Sequence, residues 1–270
     1  MAVVKPYYEF WFERDFDPTE PHDWIKENWT ISIFIATLYV VVIFGGQWLM
    51  KDRAAFQLRQ ALFYWNAFLA VFSVCGTLRF VPEFLRVLNS EGYEFSICDG
   101  SYFQGSSGFW SHLFAYSKVL ELGDTLFIVL RKKPLRFLHY YHHITVLIYT
   151  WLAFKEHTAA GRWFVMMNYF VHSIMYTYYA ASARGYRFPR HIPMVITTFQ
   201  ILQMVVGVGV NLSVYLVQRQ QRQCRQTGAN LIFSFAMYAS YVYLFAKFFY
   251  QAYCAVPPSR LTDKSKGKVE

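Results

Sequence analysis

Apolar residues fall along this chain in long runs, separated by short basic or polar segments. The first run, 31–50, reads ISIFIATLYVVVIFGGQWLM and carries no charge. Six more follow near 60–81, 109–130, 137–154, 163–182, 192–217 and 229–252. At about 1.5 Å per helical residue, each reaches across a hydrocarbon core of about 30 Å, the shortest only barely. The pattern predicts an all-α integral membrane protein with seven transmembrane helices. It divides the chain into an N-terminal arm (1–30), a membrane domain (31–253) and a C-terminal tail (254–270).

Composition supports the membrane reading. Only 16% of residues are charged, where soluble domains carry about 25%, and the 27 Phe and 21 Tyr suit surfaces that face lipid and its interfaces. The net charge of +9 raises nucleic-acid binding as an alternative. The basic residues, however, sit in clusters between apolar runs, as the positive-inside bias predicts, and no nucleic acid is expected as a partner.

The clusters orient the chain. Lys51, Arg53 and Arg59, then Arg131, Lys132, Lys133 and Arg136, then Arg184, Arg187 and Arg190 share one side with a lysine-rich tail. That side is expected to be cytosolic, with the N-terminus in the lumen, although Arg219, Arg222 and Arg225 oppose the bias. The first 30 residues lack a basic start followed by an apolar core, so the first span is expected to direct insertion. Asn28-Trp29-Thr30 is a glycosylation sequon on the luminal side. Cys98 and Cys224 also face the lumen, where disulfides persist, and are expected to pair. Lys266 and Lys268 have the spacing of a dilysine retrieval signal, which places the protein in the endoplasmic reticulum membrane.

Ionisable side chains within spans are costly and mark function. Lys118, Glu121 and Asp124 share one face of span three; alone they read equally well as a structural ion-pair set. His139, His142 and His143 stand at i, i+3 and i+4 in span four. Span five adds Asn168 and, one turn on, His172, Tyr176 and Tyr179; span six adds Gln200 and Gln203. Counted from the cytosolic ends, Asp124 and His142 lie about 8–9 Å deep, and His172, Gln200 and Gln203 about 12–17 Å. One polar pocket open to the cytosol is the expected result.

Two chemistries fit such a pocket. HxxHH is a plausible metal-ligand spacing, but membrane di-iron enzymes need more histidines than the four gathered here, and no metal is expected. Imidazole can instead accept an acyl group or move a proton. Basic loops at the mouth and apolar depth behind suit an acyl thioester of coenzyme A. Its phosphates would meet Lys132, Lys133, Arg136, Arg187 or Arg190. A seven-span receptor or transporter is the competing class, with the buried charges serving a ligand or proton path.

At these residues the chain resembles the very-long-chain fatty acid elongases. The matching motifs are Lys118-x-x-Glu121-x-x-Asp124-Thr125, His139-x-x-His142-His143, His172-x-x-Met175-Tyr176-x-Tyr178-Tyr179 and Thr197-x-x-Gln200-x-x-Gln203, in the family's order. The resemblance implies a 3-oxoacyl-CoA synthase that condenses acyl-CoA with malonyl-CoA without a cofactor. It also implies helices two to seven enclosing an acyl tunnel, helix one outside it, and other enzymes of the elongation cycle as partners. Leu122-Gly123 and Tyr140 look more like the branch elongating saturated and monounsaturated chains. In a ping-pong scheme His142 is the nucleophile, His172 and Asn168 stabilise charge or position the thioester, and Asp124 orients a histidine; the alternative is a histidine that only assists decarboxylation or proton transfer, with no covalent intermediate. His139 and His143 complete the catalytic set; Lys118, Glu121, Thr125, Tyr176, Tyr179, Gln200 and Gln203 join the basic loop residues around the substrates.

Overall fold

The computed structural model describes residues 10–255, and Lys266 and Lys268 of the retrieval motif lie outside them. The described residues fold as helices joined by short turns: α1 (Trp11–Arg14), α2 (Thr19–Asn28), α3 (Ile31–Leu49), α4 (Arg59–Ser90), α5 (Gly92–Cys98), α6 (Gly105–Leu120), α7 (Gly123–Leu130), α8 (Phe137–Lys155), α9 (Gly161–Arg184), α10 (His191–Arg219) and α11 (Gly228–Phe249). From α3 onward the long rods run alternately up and down, with α6 and α7 together making one of them.

Two elements differ from expectation. The second apolar run continues as helix to Ser90, through Pro82, instead of stopping near 81. The third is not one helix. It tightens at Glu121–Leu122, where Leu122 N–H bonds to the Val119 carbonyl and Asp124 N–H to that of Glu121, each three residues back. Gly123 follows because a side chain there would run into the Trp65 indole.

Among the described residues, four helices are long and apolar enough to cross a membrane: α3, α4, α10, and α11 with its π-helical extension to Cys254. The other three rods, α6–α7, α8 and α9, are the ones that carry Lys118, Glu121 and Asp124, the three clustered histidines, and Asn168 with His172. Their polar cargo lowers their hydropathy, and the tight turn divides the first of them.

Packing follows small residues. The most extensive helix contact joins α4 to α9. There Gly76 lets the Tyr169 ring lie against the α4 backbone, and Tyr169 Oη donates to the Trp110 carbonyl (2.8 Å). On α3, Ser32, Ala36, Tyr39 and Ile43 recur every three or four residues as a buried stripe, while Phe34, Leu38, Val41 and Trp48 are exposed. That stripe packs on α7 and α8 through Leu122, Val129, Leu147 and Trp151.

At the end of the bundle away from His139, His142 and His143, Cys98 and Cys224 are bonded, tying the last residue of α5 to the α10–α11 loop. The fully buried Arg162 donates to Glu83, Ser101 and the carbonyls of Ser96 and Asp99. The N-terminal arm docks at this end. Glu13 accepts from Arg79 and from the Trp110 indole, and Ile25 is fully buried.

Candidate active site

A cavity of about 670 Å³ opens at the end of the bundle where α7 turns into α8. Its lining includes the buried His143, Asn168, Gln203 and Met204. One turn beyond, Tyr149, Phe164, Tyr238 and Tyr241 pack with Met204 and fill the interior.

The polar face of α6 meets that of α9. Lys118 Nζ donates to Glu121 Oε1 (2.6 Å) and to Asn168 Oδ1 (2.9 Å). With its oxygen taken, Asn168 presents its Nδ2 to His172 Nε2 (3.1 Å). An amide nitrogen only donates, so His172 Nε2 accepts and the ring proton sits on Nδ1. That nitrogen faces Glu121 Oε1 at 3.8 Å. Lys118, Glu121, Asn168 and His172 are all buried, and each charge has its partner inside the group. Glu121 Oε2 has no hydrogen-bond partner among the described residues, and Glu121 lines the cavity.

Asp124 has different neighbours from those expected. Its two oxygens accept from Trp65 Nε1 (2.6 Å) and Tyr176 Oη (2.8 Å), so its hydrogen bonds hold an indole and a phenol. The carboxylate beside an imidazole is that of Glu121. Sequence reasoning missed Trp65, because a partner 59 residues away leaves no local signal.

The three histidines of α8 have unequal surroundings. His139 Nε2 lies 2.9 Å from Thr125 Oγ1. His143 is buried against His139, ring centroids 4.5 Å apart, and its Nδ1 has no partner among the described residues. His142 lines the cavity between the Tyr241 and Phe245 rings. No described side chain hydrogen-bonds its imidazole.

The mouth selects among the basic residues. Arg131, Lys133 and Arg136 line it, with Arg136 over the Phe248 ring. Lys132 turns away. It adopts the left-handed conformation (φ 52°) that ends α7, with Lys133 N–H reaching back to the Ile128 carbonyl, and its Nζ binds the carbonyls of Lys51 and Arg53. Arg190 donates to the Tyr253 carbonyl, and the exposed Arg187 lies outside the lining. Arg131, a mouth residue, was legible only as loop charge.

Tyr176, Tyr179, Gln200 and Gln203 line the cavity as their spacing suggests, with Gln200 Nε2 donating to Met175 Sδ (3.2 Å). Asn66 of α4 joins them. Lys118 and Thr125 lie behind the wall, outside the lining, and support residues that line it. Asn28 ends α2, its Nδ2 donating to the Trp24 carbonyl.

Residues 24–260 match the model of the ELO (GNS1/SUR4) family. The chain is 48% identical over 260 residues to very long chain fatty acid elongase 6 of Drosophila melanogaster, covering 94% of this chain and 82% of that one. It is 46% identical over 259 residues to human very long chain fatty acid elongase 6, covering 96% and 97%. Very long chain fatty acid elongase 3 of Mus musculus is 41% identical over 267 residues, covering 98% and 96%.

Proposed function

The chain belongs to the ELO (GNS1/SUR4) family and is a fatty acid elongase that condenses acyl-CoA with malonyl-CoA, and we propose that His142 carries the acyl group between the two halves of that reaction. One observation carries the proposal: His142 lines the cavity half-buried with an imidazole that no described side chain hydrogen-bonds, whereas His139 and His172 each have Nε2 hydrogen-bonded and His143 is buried. A ring nitrogen of His142 attacks the thioester carbon, the C–S bond breaks, and coenzyme A leaves with the imidazole proton. Malonyl-CoA then loses carbon dioxide. Its carbanion takes the acyl carbon from nitrogen, forming the new C–C bond and releasing 3-oxoacyl-CoA, and the histidine nitrogen that leaves takes up a proton from solvent.

The surrounding residues divide the remaining work. His172, oriented by Asn168 with its Nδ1–H beside Glu121, is placed to exchange a proton or donate to developing negative charge. Arg131, Lys133 and Arg136 supply the cationic rim that coenzyme A phosphates need. Asp124 anchors Tyr176 in the wall. No cofactor or metal enters the scheme.

The setting is part of the same proposal. All seven rods cross the endoplasmic reticulum membrane, the cavity mouth faces the cytosol, and the disulfide end faces the lumen, where Asn28 is a glycosylation site. The first 30 residues form a luminal arm, residues 31–253 the catalytic domain, and 254–270 a cytosolic tail with the retrieval signal. Saturated or monounsaturated long-chain acyl-CoAs are the preferred substrates, with the chain entering between the helices once the Tyr238 and Tyr241 rings give way. The enzymes that reduce and dehydrate the product act alongside it.

The test is condensation by the purified protein given palmitoyl-CoA and malonyl-CoA, without NADPH and with EDTA. The expected product is the 3-oxoacyl-CoA two carbons longer. Failure with every acyl chain length would contradict the reading.

A further inference from the structure

Tyr39 lies on α3, the rod that packs outside the cavity, and is 6% exposed. Its hydroxyl is 2.7 Å from Thr125 Oγ1, and that oxygen is 2.9 Å from His139 Nε2. Thr125 is fully buried between them. The three groups form one chain from a neighbouring helix into the cavity wall.

Proton accounting gives the chain a direction. The Tyr39 hydroxyl has one proton, and Thr125 Oγ1 is its sole hydrogen-bond partner among the described residues. Tyr39 therefore donates to Thr125, and Thr125 spends its own proton on His139 Nε2. The reverse polarity would leave a phenol proton in an apolar seam with no acceptor. His139 is thus an acceptor at Nε2 and carries its proton on Nδ1, with its ring set 4.5 Å from that of His143. Packing alone does not call for the hydroxyl. The surrounding Ala36, Ile43, Leu122, Val129, Leu147 and Trp151 would hold a phenylalanine ring equally well.

We infer that Tyr39 is a positioning residue for condensation: acting through Thr125, it fixes the tautomer and ring orientation of His139 in the cavity wall. The inference rests on the condensing-enzyme reading for its effect on rate, but the hydrogen-bond chain can be probed without turnover. It also gives α3 a task beyond membrane anchoring.

The experiment compares wild type with Tyr39→Phe, Thr125→Val, Thr125→Ser and the Tyr39→Phe/Thr125→Val double variant. Each is assayed for kcat and KM, for thermal midpoint, and for the rate at which diethyl pyrocarbonate carbethoxylates His139, read by peptide mass. Tyr39→Phe should lower kcat about five-fold, the factor one hydrogen bond is worth. KM for acyl-CoA and the thermal midpoint should hold, and His139 should label faster because Thr125, without the Tyr39 hydroxyl donating to it, no longer holds its own proton fixed on Nε2. Thr125→Val should do at least as much, the double variant no more than Thr125→Val, and Thr125→Ser should behave as wild type. Wild-type labelling of His139 in Tyr39→Phe would overturn the inference, as would a kcat loss that the double variant compounds. If wild type itself forms no 3-oxo product, the condensing reading fails, and the labelling rates alone still decide whether the chain exists.

Discussion

Lys118, Glu121, Asn168 and His172 hold one another in place, and removing one leaves the others with unmet charge. Lys118→Met should lower stability by about 3–5 kcal/mol, because it strands the Glu121 carboxylate in a buried site. Lys118→Met/Glu121→Leu should recover most of that loss, since both charges leave together, yet remain inactive for want of an oriented Asn168–His172 pair. Thermal midpoints in detergent, read beside condensation rates, would separate the two effects. Helical spacing made this group legible in outline, because Lys118, Glu121 and Asp124 share a face and Asn168 precedes His172 by one turn. It did not tell which carboxylate meets an imidazole. Both face the same way, and the choice depends on Trp65, Tyr176 and the tight turn at Glu121–Leu122, which come from other helices or from backbone geometry.

Turns between helices carry their own chemistry. Between α8 and α9, His157 accepts at Nδ1 from Arg225 (2.9 Å) and so donates from Nε2 to His22 Nδ1 (2.7 Å), which requires a neutral His157 ring. Burial, reinforced by His22 and Arg225, pushes the His157 pKa down to about 3. The unfolded chain takes up this proton near pH 6.5 and the folded protein does not, so the contribution to stability is intact above about 6.5 and is lost as pH falls from there toward 3. The thermal midpoint should drop over that window, and less steeply in His157→Phe. A slope unchanged in that variant would place the acid sensitivity elsewhere. In sequence, His22 and His157 read as arm and loop residues. Their pairing across 135 positions exists only because the arm folds back onto the bundle.

For the whole molecule, the long apolar runs were readable because lipid imposes one rule on every residue that faces it. Among the described residues, the runs with few charges became the four helices long and apolar enough to span, and those carrying the buried ionisable groups of the site fell short by the same measure. The Cys98–Cys224 bond was equally legible, since both cysteines fall at one end of an up-and-down bundle. The depth of the cavity was not. Aromatic rings from α8, α9 and α11 meet beside it around the lining residue Met204, and no local pattern records which of them converge. The central claim is that His142, which lines the cavity with no hydrogen bond to its imidazole, bears the acyl group. Incubation with palmitoyl-CoA alone, followed by peptide mass mapping, tests it most directly. One equivalent of coenzyme A should be released and a palmitoyl adduct found on His142, with both lost in His142→Ala and condensation reduced on the order of 10³-fold or more. An adduct on another residue, or no coenzyme A release before malonyl-CoA is added, would contradict the account.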